Sequence, residues 1–187
     1  MNFKKLLLVI TTLLLAFTIQ VEGHEKKWPE KRLRQVWPTA SSFTSKQISL
    51  SPAQIAELKS AGLKIGTTDQ SPTFYFPQEK TEPSGKPKTS GIILFIDDYG
   101  DNGLMEISVA MESMGSLKTI DLWETTENSE VKKDDFLKQF QGKTSKDLFV
   151  LNKDFKPVPS AIKASEAVAH SAEKALKIVS LVYGTKK

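Results

Sequence analysis

Apolar and polar positions alternate in three ways along this chain, and each way predicts a different kind of element. The first is an almost unbroken apolar run from Leu6 to about Ile19, headed by Lys4 and Lys5. A basic start, an apolar stretch and Val21-Glu22-Gly23 after it read as a secretory signal peptide cleaved after Gly23. The run is shorter than the about 20 residues that a membrane-spanning helix needs. An uncleaved leader that anchors the chain is the alternative. The chain thus divides into a signal peptide (1–23), a basic flexible segment (24–32) and one domain (33–187), exported to the periplasm or secreted.

The second pattern is that of strands. Thr73 to Phe76 is rich in strand formers. Gly91 to Ile96 is continuously apolar, which predicts a strand buried on both faces. From Leu104 to Met111, Met105, Ile107, Val109 and Met111 alternate with Glu106, Ser108 and Ala110, which predicts a half-buried strand. Leu117, Ile120 and Leu122 belong to a further strand ending at Trp123. Between these runs, Gln78 to Ser90 reads as a loop and Asp97 to Gly103 as a turn.

The third pattern has helical spacing. Ser51 is an N-cap, Pro52 opens the helix, Gln54 completes a capping box, and Leu50 and Ile55 form a hydrophobic staple. Gly62 ends that helix. Lys132 to Phe140 predicts a short helix with Phe136 and Phe140 on one face, closed near Gly142. Ala164, Val168, Ala172, Ala175 and Val179 predict a long C-terminal helix whose small residues allow close packing on a sheet. Consecutive strands joined by short turns argue for an α+β fold, an antiparallel sheet covered by helices.

Composition narrows the chemistry. There is no cysteine, so disulfides, cysteine-held zinc and a lipid-modified start are excluded. The net charge of +4 comes largely from the leader and from His24 to Arg34. That basic segment is either a solvated tail or a weak contact with an anionic membrane surface. No basic stripe is interleaved with aromatics, so nucleic acid is not a partner. The two histidines, His24 and His170, form no metal-binding pair, and His170 reads as a helix-surface residue. No nucleophile elbow, phosphate-binding glycine loop or acid–base pair is present, which leaves no catalytic residues. Asp97, Asp98 and Asp101 lack the glycine and terminal carboxylate of a calcium loop and read as turn residues.

From Gly103 to Ile178 the ordered features resemble the FMN-binding domain family, exported domains that carry flavin covalently in bacterial redox complexes. The alternating strand is followed by a strand ending in Leu122-Trp123-Glu124-Thr125, where the family has a Glu-Thr or Arg-Glu segment. Glu130-Val131 and Phe136-Leu137-Lys138-Gln139-Phe140-Gln141-Gly142-Lys143 are similar to the family's E-V and F-L-x-Q-F-x-G-K run. A helix from Ser165 through Leu176 follows, and the upstream Trp37 and Ser51 features resemble one branch of the family. The resemblance implies an electron carrier with a membrane redox partner. Its cofactor segments would be Glu124 and Thr125, and Ser160, Ala161, Ile162, Lys163 and Ser165.

The departure lies in the attachment motif. The family carries Ser/Thr-Gly-Ala-Thr-x-Ser/Thr before its last helix, and the threonine forms a phosphoester with FMN. Here the run is Pro159-Ser160-Ala161-Ile162-Lys163-Ala164-Ser165. Ile162 stands at the acceptor position without a hydroxyl, which excludes covalent attachment there, and Ser160 replaces the glycine. Ser160 and Ser165 are the alternative acceptors. Free amides at the helix start and Lys163 leave noncovalent FMN open. The other reading is a flavin-free member of the fold, acting as a binding or structural module.

Overall fold

A computed structural model describes residues 29–80, 82, 85–123 and 125–184. Residues 1–23, expected to be a signal peptide, residues 24–28 of the basic segment and Glu124 lie outside the described residues. The elements in chain order are α1 (Glu30–Val36), β1 (Ser42–Gln47), α2 (Pro52–Ser60), β2 (Thr73–Glu79), β3 (Lys88–Thr89), β4 (Gly91–Tyr99), β5 (Leu104–Glu112), β6 (Leu117–Trp123), α3 (Asp134–Leu137) and α4 (Ile162–Tyr183). The strands form one antiparallel sheet in the order β1-β2-β4-β5-β6, with β3 paired to β2. This is the α+β architecture with a long C-terminal helix that the periodicity predicts.

Local signals set most of these elements. The Ser51 hydroxyl accepts from the Gln54 amide, and the Gln54 side chain accepts from the Ser51 amide, so the capping box forms as the sequence predicts. The Phe136 and Phe140 rings meet edge to face, and Gly142 takes φ +80° after them. The helix expected over 132–140 is broken up, however. It divides into short 3-10 turns at Ser129–Lys132 and Lys138–Phe140 around α3, because Lys133 is extended. The expected loop over 78–90 also shortens, since Gln78 and Glu79 pair with Thr89 and Lys88.

The main core lies between the sheet and α4. Ala164, Val168, Ala172 and Ala175 of α4 are buried against Leu94, Ile96, Met105, Ile107 and Val109. A second cluster lies on the back of the sheet, where α1 contributes Leu33, Val36 and Trp37 over Ile93 and Ala110. Strand β4 is therefore buried on both faces, as its sequence predicts. Strand β5 is not half-buried, which corrects the expectation: Ser108 and Ala110 are fully buried as well. The reason is α1, which begins at Glu30 inside the segment expected to be a tail and covers that face.

Two corrections concern register. The backbone between Leu117 and Ile120 bulges, with Leu117 opposite Met111 and Thr119 opposite Ala110. The extra residue, Lys118, lets Leu117, Ile120 and Leu122 all face α4 despite their uneven spacing. Asp97 and Asp98 belong to β4 rather than to a turn, and they point to opposite faces of the sheet. Among the described residues no group of three histidine, aspartate or glutamate side chains could hold a metal ion. No helix among them is long and apolar enough to cross a membrane.

Candidate functional site

Three segments meet where β4 and β5 join: the turn Gly100–Gly103, the stretch Thr125–Asn128 and the start of α4. Glu127 is the hub. Its side chain is buried, and its Oε1 accepts from the Asn102 amide at 2.6 Å. The Asn102 Nδ2 donates to its Oε2 at 3.4 Å. Gly100 makes this approach feasible, because a β-carbon there would lie 2.4 Å from Glu127 Oε1. The Thr125 hydroxyl accepts from the Glu127 amide at 3.2 Å, and the Thr125 carbonyl accepts from Lys132 Nζ at 3.2 Å.

The start of α4 is tied to both other segments. Asn128 Nδ2 donates to the Ser160 hydroxyl at 2.8 Å, while its Oδ1 accepts from the Glu130 amide. From the turn, the Asp101 Oδ2 accepts from the Ala164 amide at 2.9 Å. Ala161 is the N-cap residue of α4 and supplies no side-chain cap, so the aspartate serves as the cap from a distance. A carboxylate there also meets the positive end of the helix dipole.

The stretch that carries Thr125 is thus tied through Asn128 to Ser160, at the head of the run Ser160, Ala161, Ile162, Lys163 and Ser165. Their individual states differ. Ile162 is 49 % exposed and presents only hydrocarbon. Lys163 is exposed, and Ala161 is buried. Ser160 is exposed but accepts from Asn128. Ser165, the other alternative acceptor, has its hydroxyl engaged within the helix start. It is fully buried, its hydroxyl donates to the Ala161 carbonyl at 2.8 Å, and it accepts from the Val158 amide at 3.0 Å.

These residues do not fit a flavin phosphate seated at this helix start. The acceptor hydroxyl is missing at Ile162. The Ala164 amide is already paired with a carboxylate, and a phosphate beside Asp101 would face like charge. Asp101 and Glu127, the residues that close the site, read in the sequence as turn and scattered acid. Their spacing from α4 gives no local signal.

Further along α4 two ion pairs fasten it to the sheet side. His170 is no free helix-surface residue: its Nδ1 shares a hydrogen bond with Asp98 Oδ2 at 2.6 Å. Burial pushes the Asp98 carboxyl up, but the His170 hydrogen bond, the Tyr99 amide and the charges of His170 and Lys174 outweigh it, so the net shift is down. Lys174 is buried and donates to Asp69 Oδ2 at 2.9 Å, which also accepts from the Gly66 amide. A cleft of about 240 Å³ lies beside His170, lined by Phe149, Leu151, Phe155, Glu166 and Glu173, and no residue from 160 to 165 borders it. No family model matches the chain, and no curated protein matches it.

Proposed function

We propose that this chain is an exported domain that keeps the architecture of the FMN-binding domains without the flavin and works as a binding or structural module. The observation that carries this reading is the Asp101 carboxylate seated on the Ala164 amide. On this reading the chain's own anion takes up the helix start that would otherwise offer amides to a phosphate. Ile162 removes the family's nucleophile at the same spot, and the buried bonds of Ser165 commit its hydroxyl to the backbone. Export rests on the leader at 1–23, which delivers the domain to the periplasm or the exterior. The basic segment behind it is suited to weak contact with an anionic membrane surface.

One observation favours a second reading, in which FMN binds noncovalently and passes electrons to a membrane redox partner. Lys163 is exposed at the second position of α4 and could offer a charge to a phosphate. In that case the flavin supplies the redox chemistry and the protein positions it.

Coexpression with a flavin transferase separates the readings. The exported protein is expected to be colourless and to have the mass of the bare chain. A yellow protein of bare-chain mass would establish the second reading instead. A mass increase of one FMN would overturn the loss of attachment.

A further inference from the structure

The back of the sheet and its cover, α1, stand apart from the rest of the molecule. The main core contains no residue of α1, whereas the second cluster joins Leu33, Val36 and Trp37 to Ala40, Phe43, Ile93 and Ala110. Removing α1 would therefore leave the main core whole. The helix has seven residues and no side-chain cap at Pro29, too little to persist without its contacts.

Its two ends are fastened differently. At the C-terminal end, the Trp37 ring lies over Gly91 so closely that a β-carbon there would be 2.4 Å from it. Trp37 Nε1 also donates to Glu79 Oε1 at 2.9 Å. At the N-terminal end the seat is polar. Phe95, Ser108 and Asp121 are cross-strand neighbours on the back face. The Arg32 guanidinium lies 4.2 Å from the Phe95 ring centre and pairs with Glu106 through Nη1 at 2.5 Å. Beneath it Arg32 Nε and Nη2 and Ser108 Oγ are buried without a hydrogen-bond partner, whereas the Asp121 carboxyl leaves only Oδ2 unpaired and accepts from the Leu122 amide and the Gln35 side chain. Buried polar groups left in that state weaken the docking they lie under.

We infer that α1 is a strap hinged at Trp37, whose Arg32 end lifts from the back of the sheet while the main core stays folded. Lifting uncovers Ile93, Phe95 and Ala110, with Glu106 and Asp121 beside them. That face fits a partner helix that carries apolar residues and one arginine, as α1 does. The inference deepens the binding-module reading and rests on it for the use of the uncovered face alone.

Hydrogen exchange on the whole exported protein tests it. The Leu33 and Trp37 amides, bonded to the Pro29 and Leu33 carbonyls, are compared with Ile107 and Val109 in β5. The α1 amides are expected to exchange at least about 100-fold faster than those of β5, as a separate opening unit. Leu176→Ala, which weakens the main core, is expected to speed β5 and leave Leu33 unchanged. Ser108→Ala removes one unpaired buried hydroxyl and is expected to slow α1 exchange about threefold or more. Equal protection of Leu33 and Val109, rising and falling together, would make α1 part of one cooperative core and overturn the strap. No slowing in Ser108→Ala would overturn the polar seat as its cause. Should Leu176→Ala fail to fold, the wild-type comparison and Ser108→Ala still decide. Detection of flavin would refute the module reading without altering these exchange rates.

Discussion

Asp101 and Ser165 carry the strongest residue-level consequences. Replacing Asp101 with alanine strips α4 of its only observed cap at Ala164, and the expected loss is about 0.5–2 kcal/mol, read from thermal unfolding. Ser165→Ala leaves the Val158 amide without its partner in a buried position, with an expected loss of about 1–3 kcal/mol. Asp98 supplies a pH dependence. Its folded pKa lies below its ordinary value of 3.8, so its stabilisation is complete above that value and is lost as pH falls through the folded pKa. The stability difference between wild type and Asp98→Asn is expected to shrink as pH falls below about 4. A difference that grows as pH falls below about 4 would contradict the lowered Asp98 pKa. Cap residues that work locally were legible: Ser51 and Gln54 are three apart and declare themselves. Asp101 and Ala164 are 63 apart, and nothing in a turn-rich DDYGDNG announces a partner on the last helix. His170 was misread for the same reason, since its partner is 72 residues away.

At the scale of elements, periodicity recovered what a single covered face dictates. The stripe of α4 and the run of β4 were legible because each records its own burial. Strand β5 was read as half-buried because Glu106 and Ser108 look solvent-facing. In the fold Glu106 is matched by Arg32, and Ser108 is covered by the same helix end. The uneven spacing of β6 needed the bulge at Lys118, which a count of alternating residues does not supply. The junction of α1 with the sheet depends on a missing side chain. A β-carbon at Gly91 would lie 2.2 Å from the Met111 carbonyl and 2.4 Å from Trp37. Gly91→Ala is accordingly expected to destabilise the protein by about 1–3 kcal/mol, measured by denaturant unfolding, and to weaken α1 docking. A neutral outcome would show that the back of the sheet relaxes freely.

For the whole molecule, fold and site point in different directions. The sheet and the long helix over it form the α+β architecture that the periodicity predicts. On the proposed reading, the helix start that would hold a flavin phosphate is closed by the chain's own Asp101. Fold alone does not carry function, so the proposed reading rests on the site. Restoring the motif is therefore expected to need three changes: Ile162→Thr for the nucleophile, Ser160→Gly for close approach, and Asp101→Gly to free the helix start. The triple variant is expected to gain one FMN in mass when coexpressed with a flavin transferase, and the first two changes alone far less. The most direct test of the central claim is a titration of FMN with the unmodified protein, followed by flavin fluorescence anisotropy. No saturable rise is expected up to about 100 μM protein, a concentration at which a ligand held with micromolar affinity would be bound. A saturable rise, abolished by Lys163→Ala, would contradict the account and establish a flavin carrier.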